Sequence, residues 1–364
     1  MERRTFLKSG AALPLAVIAV ARGARADVGD GDAWRVFEVT TQVEVSEPAG
    51  VTRVWLPVPL TTDTDYLKNL GSTWGTNSGA VRYVVDEKYR AGIVSAAFQD
   101  DRTKPVLQLT SRVATRDRAV DLSKPGRAAR ASPDELKLAL MPTDLLPTDG
   151  IVRDTARDIV KGKRQPLEQA RAIYDWIVDH TFRDPDVEGC GWGDIRSMLE
   201  SRNLGGKCAD LNALFVGLAR SIGIPARDVY GIRVAKSRKG YASLGVNSED
   251  VSKAQHCRAE FYAEGYGWIP VDPADVRKVV LEEPPGHLSI DDAKVRAARE
   301  RLFGAWEMNW VAYNYAHDLR LPGSSYPRVP YLMYPTGETA QGRLDSLAPD
   351  TFTYAITARE IHLA

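Results

Sequence analysis

The sequence predicts an α+β fold: a helix bearing Cys208 packed on an antiparallel sheet, with an N-terminal antiparallel β domain. Three observations carry this. After Gly205-Gly206, the residues Ala209, Leu211, Leu214, Phe215, Leu218, Ala219 and Ile222 recur at spacings of three and four, the pattern of a buried helix. Residues 255–272 alternate and turn as a β-hairpin. Residues 33–60 and 80–116 alternate with period two and are rich in Val, Thr and aromatics.

Taken in order, residues 33–60 read as a half-buried hairpin turning at Pro48-Ala49-Gly50. Residues 80–88, 91–99 and 105–116 read as further strands, completing a small sheet or sandwich. Trp55, Trp74 and Tyr83 fit core or sheet-face positions better than ligand platforms. Residues 117–147 form a linker with one short helix starting at Ser132-Pro133-Asp134-Glu135. Thr148 is positioned to cap the next helix, with Ile151, Val152, Thr155, Ala156, Ile159 and Val160 on one face. Pro166 opens another helix running through Phe182.

Residues 184–206 are irregular and glycine-rich, with one or two helical turns over Asp194–Ser201. Gly223 and Pro225 end the Cys208 helix. Ala226–Ala235 is a strand, and residues 236–254 are a long polar loop that either covers the site or is a disordered excursion. Residues 289–303 are a charged helix and residues 305–315 an aromatic strand. Residues 322–349, with five prolines, read as extended loop. Asp350–Ile361 alternates as a last strand, placed against the N-terminal sheet as a topology guess.

The chemistry concentrates at three residues. Cys208 stands at a helix N-terminus beside Lys207, where unpaired N–H groups favour a thiolate. His256 lies in a half-buried strand, and Asp272 at the far end of the returning strand, before Pro273. The fold-back of Trp268–Asp272 brings the carboxylate toward the imidazole. Cys, His and Asp in that order are the parts of an activated thiol. His180, His287, His317 and His362 lack a cysteine or acidic partner at a telling spacing and read as surface or core histidines.

The stretches GGKCADLNALFVGLARSIGIPARDVYG and HCRAEFYAEGYGWIPVDPAD resemble the transglutaminase-like superfamily, whose papain-like core carries Cys, His and Asp in this order. The resemblance spans roughly residues 150–280. It implies Cys208 as nucleophile, His256 as base and Asp272 as orienter. An upstream side-chain oxyanion donor would then be Trp192 or Trp176, although Trp176 sits in a helical pattern that fits the core. Cys257 follows His256 where the family more often has a small residue and then an aromatic; the three roles are untouched. The superfamily includes cross-linkers, peptidases, amidases and members without known activity. The implied organisation is a core over residues 148–320 and a C-terminal extended segment and final strand over residues 321–364. Calcium dependence occurs among relatives, but the chain carries no calcium-loop signature. No metal or organic cofactor is required by the mechanism.

The N-terminus stands apart. Residues 1–8 are basic, residues 11–21 are apolar, and Ala24-Arg25-Ala26 is a cleavage signature. Arg3-Arg4 followed by Thr-Phe-Leu-Lys resembles a twin-arginine export signal. Residues 1–26 are therefore expected to be removed and the mature protein, starting at Asp27, to be periplasmic. The N-terminal β domain then occupies residues 27–116. The apolar run falls short of the ~20 residues of a membrane span, so no stable span is expected after signal removal.

Formal net charge is zero over 364 residues. Loss of the signal takes five basic and one acidic side chain and leaves −4. Nothing there suggests a nucleic-acid partner. In an oxidising compartment Cys190 and Cys257 are free to pair if Cys208 is the working thiol; the sequence leaves this open. Cys190, Cys208, His256 and Cys257 also make a conceivable zinc set, but no pair has the two-residue knuckle spacing.

The expected function is a thiol-dependent hydrolase or acyl transferase on peptide or carboxamide bonds, with peptidase or amidase favoured over cross-linker. Its partners are then peptides or proteins, cell-wall peptide among them. The competing reading is a catalytically silent binding or assembly module of the periplasm.

Overall fold

The computed structural model describes residues 33–99, 104–126 and 130–362. The signal segment inferred over residues 1–26 lies outside these. Six strands come first: β1 (Arg35–Val45), β2 (Thr52–Pro57), β3 (Leu67–Thr76), β4 (Ala80–Val85), β5 (Gly92–Phe98) and β6 (Val106–Thr115). Helices α1 (Pro133–Leu138), α2 (Gly150–Ile159), α3 (Pro166–His180), α4 (Ile195–Ser201) and α5 (Cys208–Ser221) follow. Then come β7 (Ala226–Arg233), β8 (Gln255–Ala263), β9 (Gly267–Val271), α6 (Pro273–Glu282), α7 (Ala293–Arg301) and β10 (Trp310–Asn314). The chain closes with β11 (Thr336–Thr339), β12 (Gly342–Leu344) and β13 (Phe352–Ile361).

The N-terminal strands build a sandwich, one of the two arrangements expected for them. One sheet has the order β13-β1-β6-β3, the other β12-β11-β2-β5-β4. The hairpin expected over residues 33–60 does not form: β1 pairs with β6 and β13, while β2 pairs with β5 and β11. The physical reason lies in burial. β1 alternates inward and outward, but β2 is buried at five of its six positions and needs neighbours on both edges and a layer above. The intervening turn, with Gly50 at φ +59°, carries the chain from one sheet to the other.

Val43, Val45, Leu107, Leu109 and Phe352 from the first sheet interlock with Val54, Leu56, Val94, Ala96 and Phe98 from the second. Trp55 is fully buried; Trp74 and Tyr83 are exposed and stack on each other at 5.8 Å. β3 was not anticipated, because its Gly, Ser and Asn residues and exposed face carry no alternating apolar signal.

The C-terminus completes this sandwich. β13 runs antiparallel to β1 from Val36↔Ile361 to Val45↔Phe352. Residues 322–349 are not wholly extended loop: β11 and β12 form a hairpin that pairs with β2. Pairing there is possible because the prolines fall outside both short strands.

In the second unit, α5 is buried from Cys208 through Arg220. It packs on the antiparallel sheet β9-β8-β7-β10 and against α2 and α3. Close approach is enforced at Gly217, where a Cβ would stand 2.1 Å from Ile195 Cδ1. The far side of that sheet meets the sandwich: Val229, Ile232, Trp310 and Val311 share a core with Phe37, Val39, Val113 and Ile356.

Two local expectations shift. The cap of α2 is Asp149, not Thr148, whose carbonyl instead accepts from Arg153 Nε. Gly150, the first residue of the helix, takes φ +52° just after this cap. α3 ends at His180, since Thr181 is extended and returns its hydroxyl to the Ile177 carbonyl. α6 went unanticipated because only one residue separates its Pro273 from the preceding strand.

Phe352 tests whether the last strand is structural. Phe352→Ala is expected to cost about 3–5 kcal/mol, read as a lowered midpoint in guanidinium unfolding. A change below about 1 kcal/mol would mean that the final strand is dispensable.

Candidate active site

Cys208 is the first residue of α5, where N–H groups have no intrahelical partner. The entry into the helix is held by Asp210. Its carboxylate accepts from the backbone N–H of Lys207 (2.9 Å), Gly193 (2.9 Å) and Trp192 (3.0 Å), tying the preceding glycine-rich loop to the first turn. Gly191 is required there: φ is +87° and a Cβ would lie 1.8 Å from Asp210 Oδ2. Tyr331 closes the loop from the other side by donating to the Gly191 carbonyl at 2.5 Å. Asp210 was missed in the sequence, although an acid at the third helical position is a known capping signal.

His256 is the second residue of β8, and Asp272 follows β9. The pairing Ala259↔Val271 places the carboxylate across from the imidazole. His256 Nε2 lies 2.8 Å from Asp272 Oδ2. That leaves Nδ1 as the nitrogen available to Cys208, whose pKa His256 helps to lower. Asp272 is itself held at Oδ1 by the Asp275 N–H (3.0 Å) and the Asn212 side chain (3.3 Å), and it caps α6. Trp310 Nε1 donates to the His256 carbonyl at 2.8 Å. Gly231 makes room for that indole, since a Cβ there would meet the ring at 2.5 Å.

Around this pair lies a buried ionic cluster invisible in the sequence. Arg233 Nη2 pairs with Asp275 Oδ1 at 2.5 Å, and Asp275 Oδ1 is 3.4 Å from His256 Nε2. Arg258 Nε is 3.6 Å from Asp272 Oδ2. Burial and Arg233 push the His256 pKa down, but Asp275 and Asp272 outweigh them, so it stands raised. Asp272 is raised by burial and by the neighbouring Asp275. Asp275 is lowered despite burial, chiefly by Arg233. His256, Asp272 and Asp275 are the one group of three among the described residues with ligand-type atoms within 4.8 Å. Two guanidinium groups already neutralise these carboxylates, so the set is built for ion pairing and not for a cation.

The three cysteines are free and buried, and Cys190 and Cys257 flank Cys208. Hydrogen bonds from Cys190 and Cys257, with His256, hold the Cys208 thiol well below its ordinary pKa against the cost of burial. Cys190 is correspondingly raised by that bond and by burial, and Cys257 by burial first. The Cys190 proton is also aimed at the Gln255 carbonyl, 3.3 Å away.

A cleft of about 890 Å³ opens over Cys208 and His256. One wall is the segment 183–190, another is the stretch 345–354 leading into β13, and a third comes from residues 245–246 and 252–255. The loop 236–254 is thus an ordered wall. Arg233 Nη1 (2.8 Å) and Asn309 Nδ2 (2.9 Å) both donate to its Leu244 carbonyl, and Tyr241, Leu244 and Val251 are buried.

Neither tryptophan considered as an oxyanion donor lines this cleft. Trp192 is 73% exposed, and Trp176 stacks on His180 at 5.0 Å. Tyr334, from the C-terminal segment, lines it instead. His317 does have an acidic partner: it is buried with Nε2 3.1 Å from Asp228 Oδ2. Their separation of 89 positions in the chain hid the pair. It lies outside the cleft, against Tyr230.

Residues 153–273 match the core of the transglutaminase-like superfamily. An uncharacterised protein of Haemophilus influenzae is 35% identical over 345 residues, covering 90% of this chain and 92% of its own. A crystal structure from Cytophaga hutchinsonii, described as a proposed cysteine protease, aligns over 90% of this chain and 99% of its own at 16% identity with a TM-score of 0.51, and shares the fold. With the sequence match falling on the helix and hairpin that carry Cys208, His256 and Asp272, this chain belongs to the transglutaminase-like superfamily.

Proposed function

We propose that this protein is an exported thiol hydrolase or acyl transferase that acts on peptide or carboxamide bonds through Cys208, His256 and Asp272. The observation that carries the reading is the 2.8 Å contact from His256 Nε2 to Asp272, which commits the other ring nitrogen to the thiol at the start of α5. In this reading the Cys208 thiolate attacks the carbonyl carbon, and the resulting oxyanion forms beside the helix N-terminus. The C–N bond breaks as His256 Nδ1–H gives its proton to the departing amine or ammonia, leaving a thioester on Cys208. His256, now neutral, takes a proton from water or an amine as that group attacks the thioester. Asp272 keeps the imidazole in the productive tautomer throughout.

Hydrolysis is favoured over cross-linking because water needs no second binding site. Peptides, cell-wall stems among them, are the expected substrates, and the periplasm is the expected compartment. No cofactor enters the scheme.

The reading is tested with a panel of quenched peptides and peptide amides, run with a fluorescent primary amine in parallel. New amine termini or ammonia without amine incorporation identify hydrolysis. Asp272→Asn is expected to lower turnover about 10²–10⁴-fold. No turnover by wild type across the panel, with Cys208 inert to alkylation, would favour a binding module.

The pH dependence follows from the directions above. The thiolate is lost below the lowered Cys208 pKa, and the imidazolium is lost above the raised His256 pKa. The reactive ion pair therefore exists between the two. Iodoacetamide labelling of Cys208, mapped by mass spectrometry, is expected to rise well below the ordinary thiol pKa of about 8.5. His256→Ala should move that rise upward toward it. An unchanged profile would remove His256 from the site.

A further inference from the structure

The wall of the cleft beside Cys208 carries more positive than negative charge, and the sharing pattern shows why. Glu282 on α6 pairs with two cations at once, Arg183 Nε and Lys278 Nζ. Both cations line the cleft, whereas Glu282 does not. Their side chains are only 15% and 19% exposed, so solvent screens them poorly. Lys207, the residue before Cys208, also lines the cleft and makes no ion pair among the described residues. Arg233, a fourth cation there, is spent on Asp275. The acidic residues on the lining are Asp186, Glu188 and Asp345; all three are exposed at the rim, as is the cation Lys253. One carboxylate thus answers two of three part-buried cations on the cleft wall, and Lys207 is left without an ion pair among the described residues. The Cys190 pKa stands raised by its bond to Cys208 and by burial, and the Arg183 charge only pulls weakly against that.

We infer that the acyl donor carries a carboxylate, which Arg183, Lys278 and Lys207 receive next to the scissile carbonyl. The substrate class is an acidic peptide, its carboxylate coming from a side chain or from a free C-terminus. The inference rests on the thiol reading proposed above and narrows it. A part-buried cation pair that shares one anion is left incompletely neutralised, and a substrate carboxylate would supply the missing counter-charge. Such a contact would raise local substrate concentration and orient the amide at once.

The test compares alkylation of Cys208 by iodoacetate, an anion, with that by neutral iodoacetamide, each relative to glutathione. The wild-type ratio of iodoacetate to iodoacetamide is expected to exceed that of glutathione roughly tenfold or more. Lys278→Met and Arg183→Met should each lower the ratio several-fold, and Lys278→Arg should retain it. The low-pH limb of iodoacetamide labelling shows in each variant that the site is assembled.

Protection of Cys208 from iodoacetamide then separates the two carboxylate sources. N-acetyl-Ala-Glu-amide offers a side-chain carboxylate, N-acetyl-Ala-Gln a terminal one, and N-acetyl-Ala-Gln-amide neither. Better protection by one or both acids than by the neutral amide supports the inference and names the source. A wild-type ratio equal to that of glutathione with the low-pH limb intact overturns it alone, as does protection that is absent or equal across the three peptides. Cys208 that takes neither reagent below ordinary thiol pH overturns the thiol reading and this inference with it.

Discussion

The buried pair of His256 and Asp272 is the constraint around which this molecule is arranged. An imidazole and a carboxylate, both almost without solvent access, survive in an apolar interior only if their charges and lone pairs are matched. The matching groups come from four different elements: Arg233 from β7, Arg258 from β8, Asp275 from α6 and Asn212 from α5. Trp306 and Trp310 cover the Arg258 guanidinium, with ring centroids at 5.5 and 4.8 Å. Removing one member strands another, at a cost of about 3–5 kcal/mol for a broken buried pair. The network thereby locks the sheet register, the N-terminus of α6 and the orientation of the histidine in a single arrangement.

The thiol side of the site is held by a different device. α5 is buried along almost its full length, so its position is set by packing, while its first turn is set by the three backbone N–H groups gathered on Asp210. The helix start therefore cannot drift relative to the 184–193 loop. The thiol is held below its ordinary pKa by what that placement puts around it: two other thiols and an imidazole. Packing and electrostatics meet at one residue, which is why a small backbone shift at Gly191 or Gly206 would be felt in the chemistry.

The β sandwich is joined to the site through the end of the chain. β11 and β12 pair with the N-terminal sheet, and the stretch from Asp345 to Tyr354 forms a wall of the cleft before β13 pairs with β1. The sandwich is thus a framework that holds one side of the cleft, and the core sheet is packed against it.

How much of this was written in the sequence follows from the range of the forces involved. The α5 helix, its start at Cys208, the hairpin with its Gly265-Tyr266-Gly267 turn and the existence of the last strand were legible, because periodicity, caps and glycine turns act over a few residues, whereas the pairing of that last strand with β1 was a topology guess. The order Cys, His, Asp was legible as a resemblance. The separation of β1 and β2 into two sheets was not, since alternation shows which face is buried but not which strand is the neighbour. Nor were Asp210, Arg233, Arg258 and Asp275, ordinary charged residues until burial makes each answerable to a partner up to 50 residues away. Local elements and the candidate Cys, His and Asp groups could be read from the chain's residues alone. Only the tertiary structure decided their protonation, because pKa depends on desolvation and on charges brought close from elsewhere in the chain.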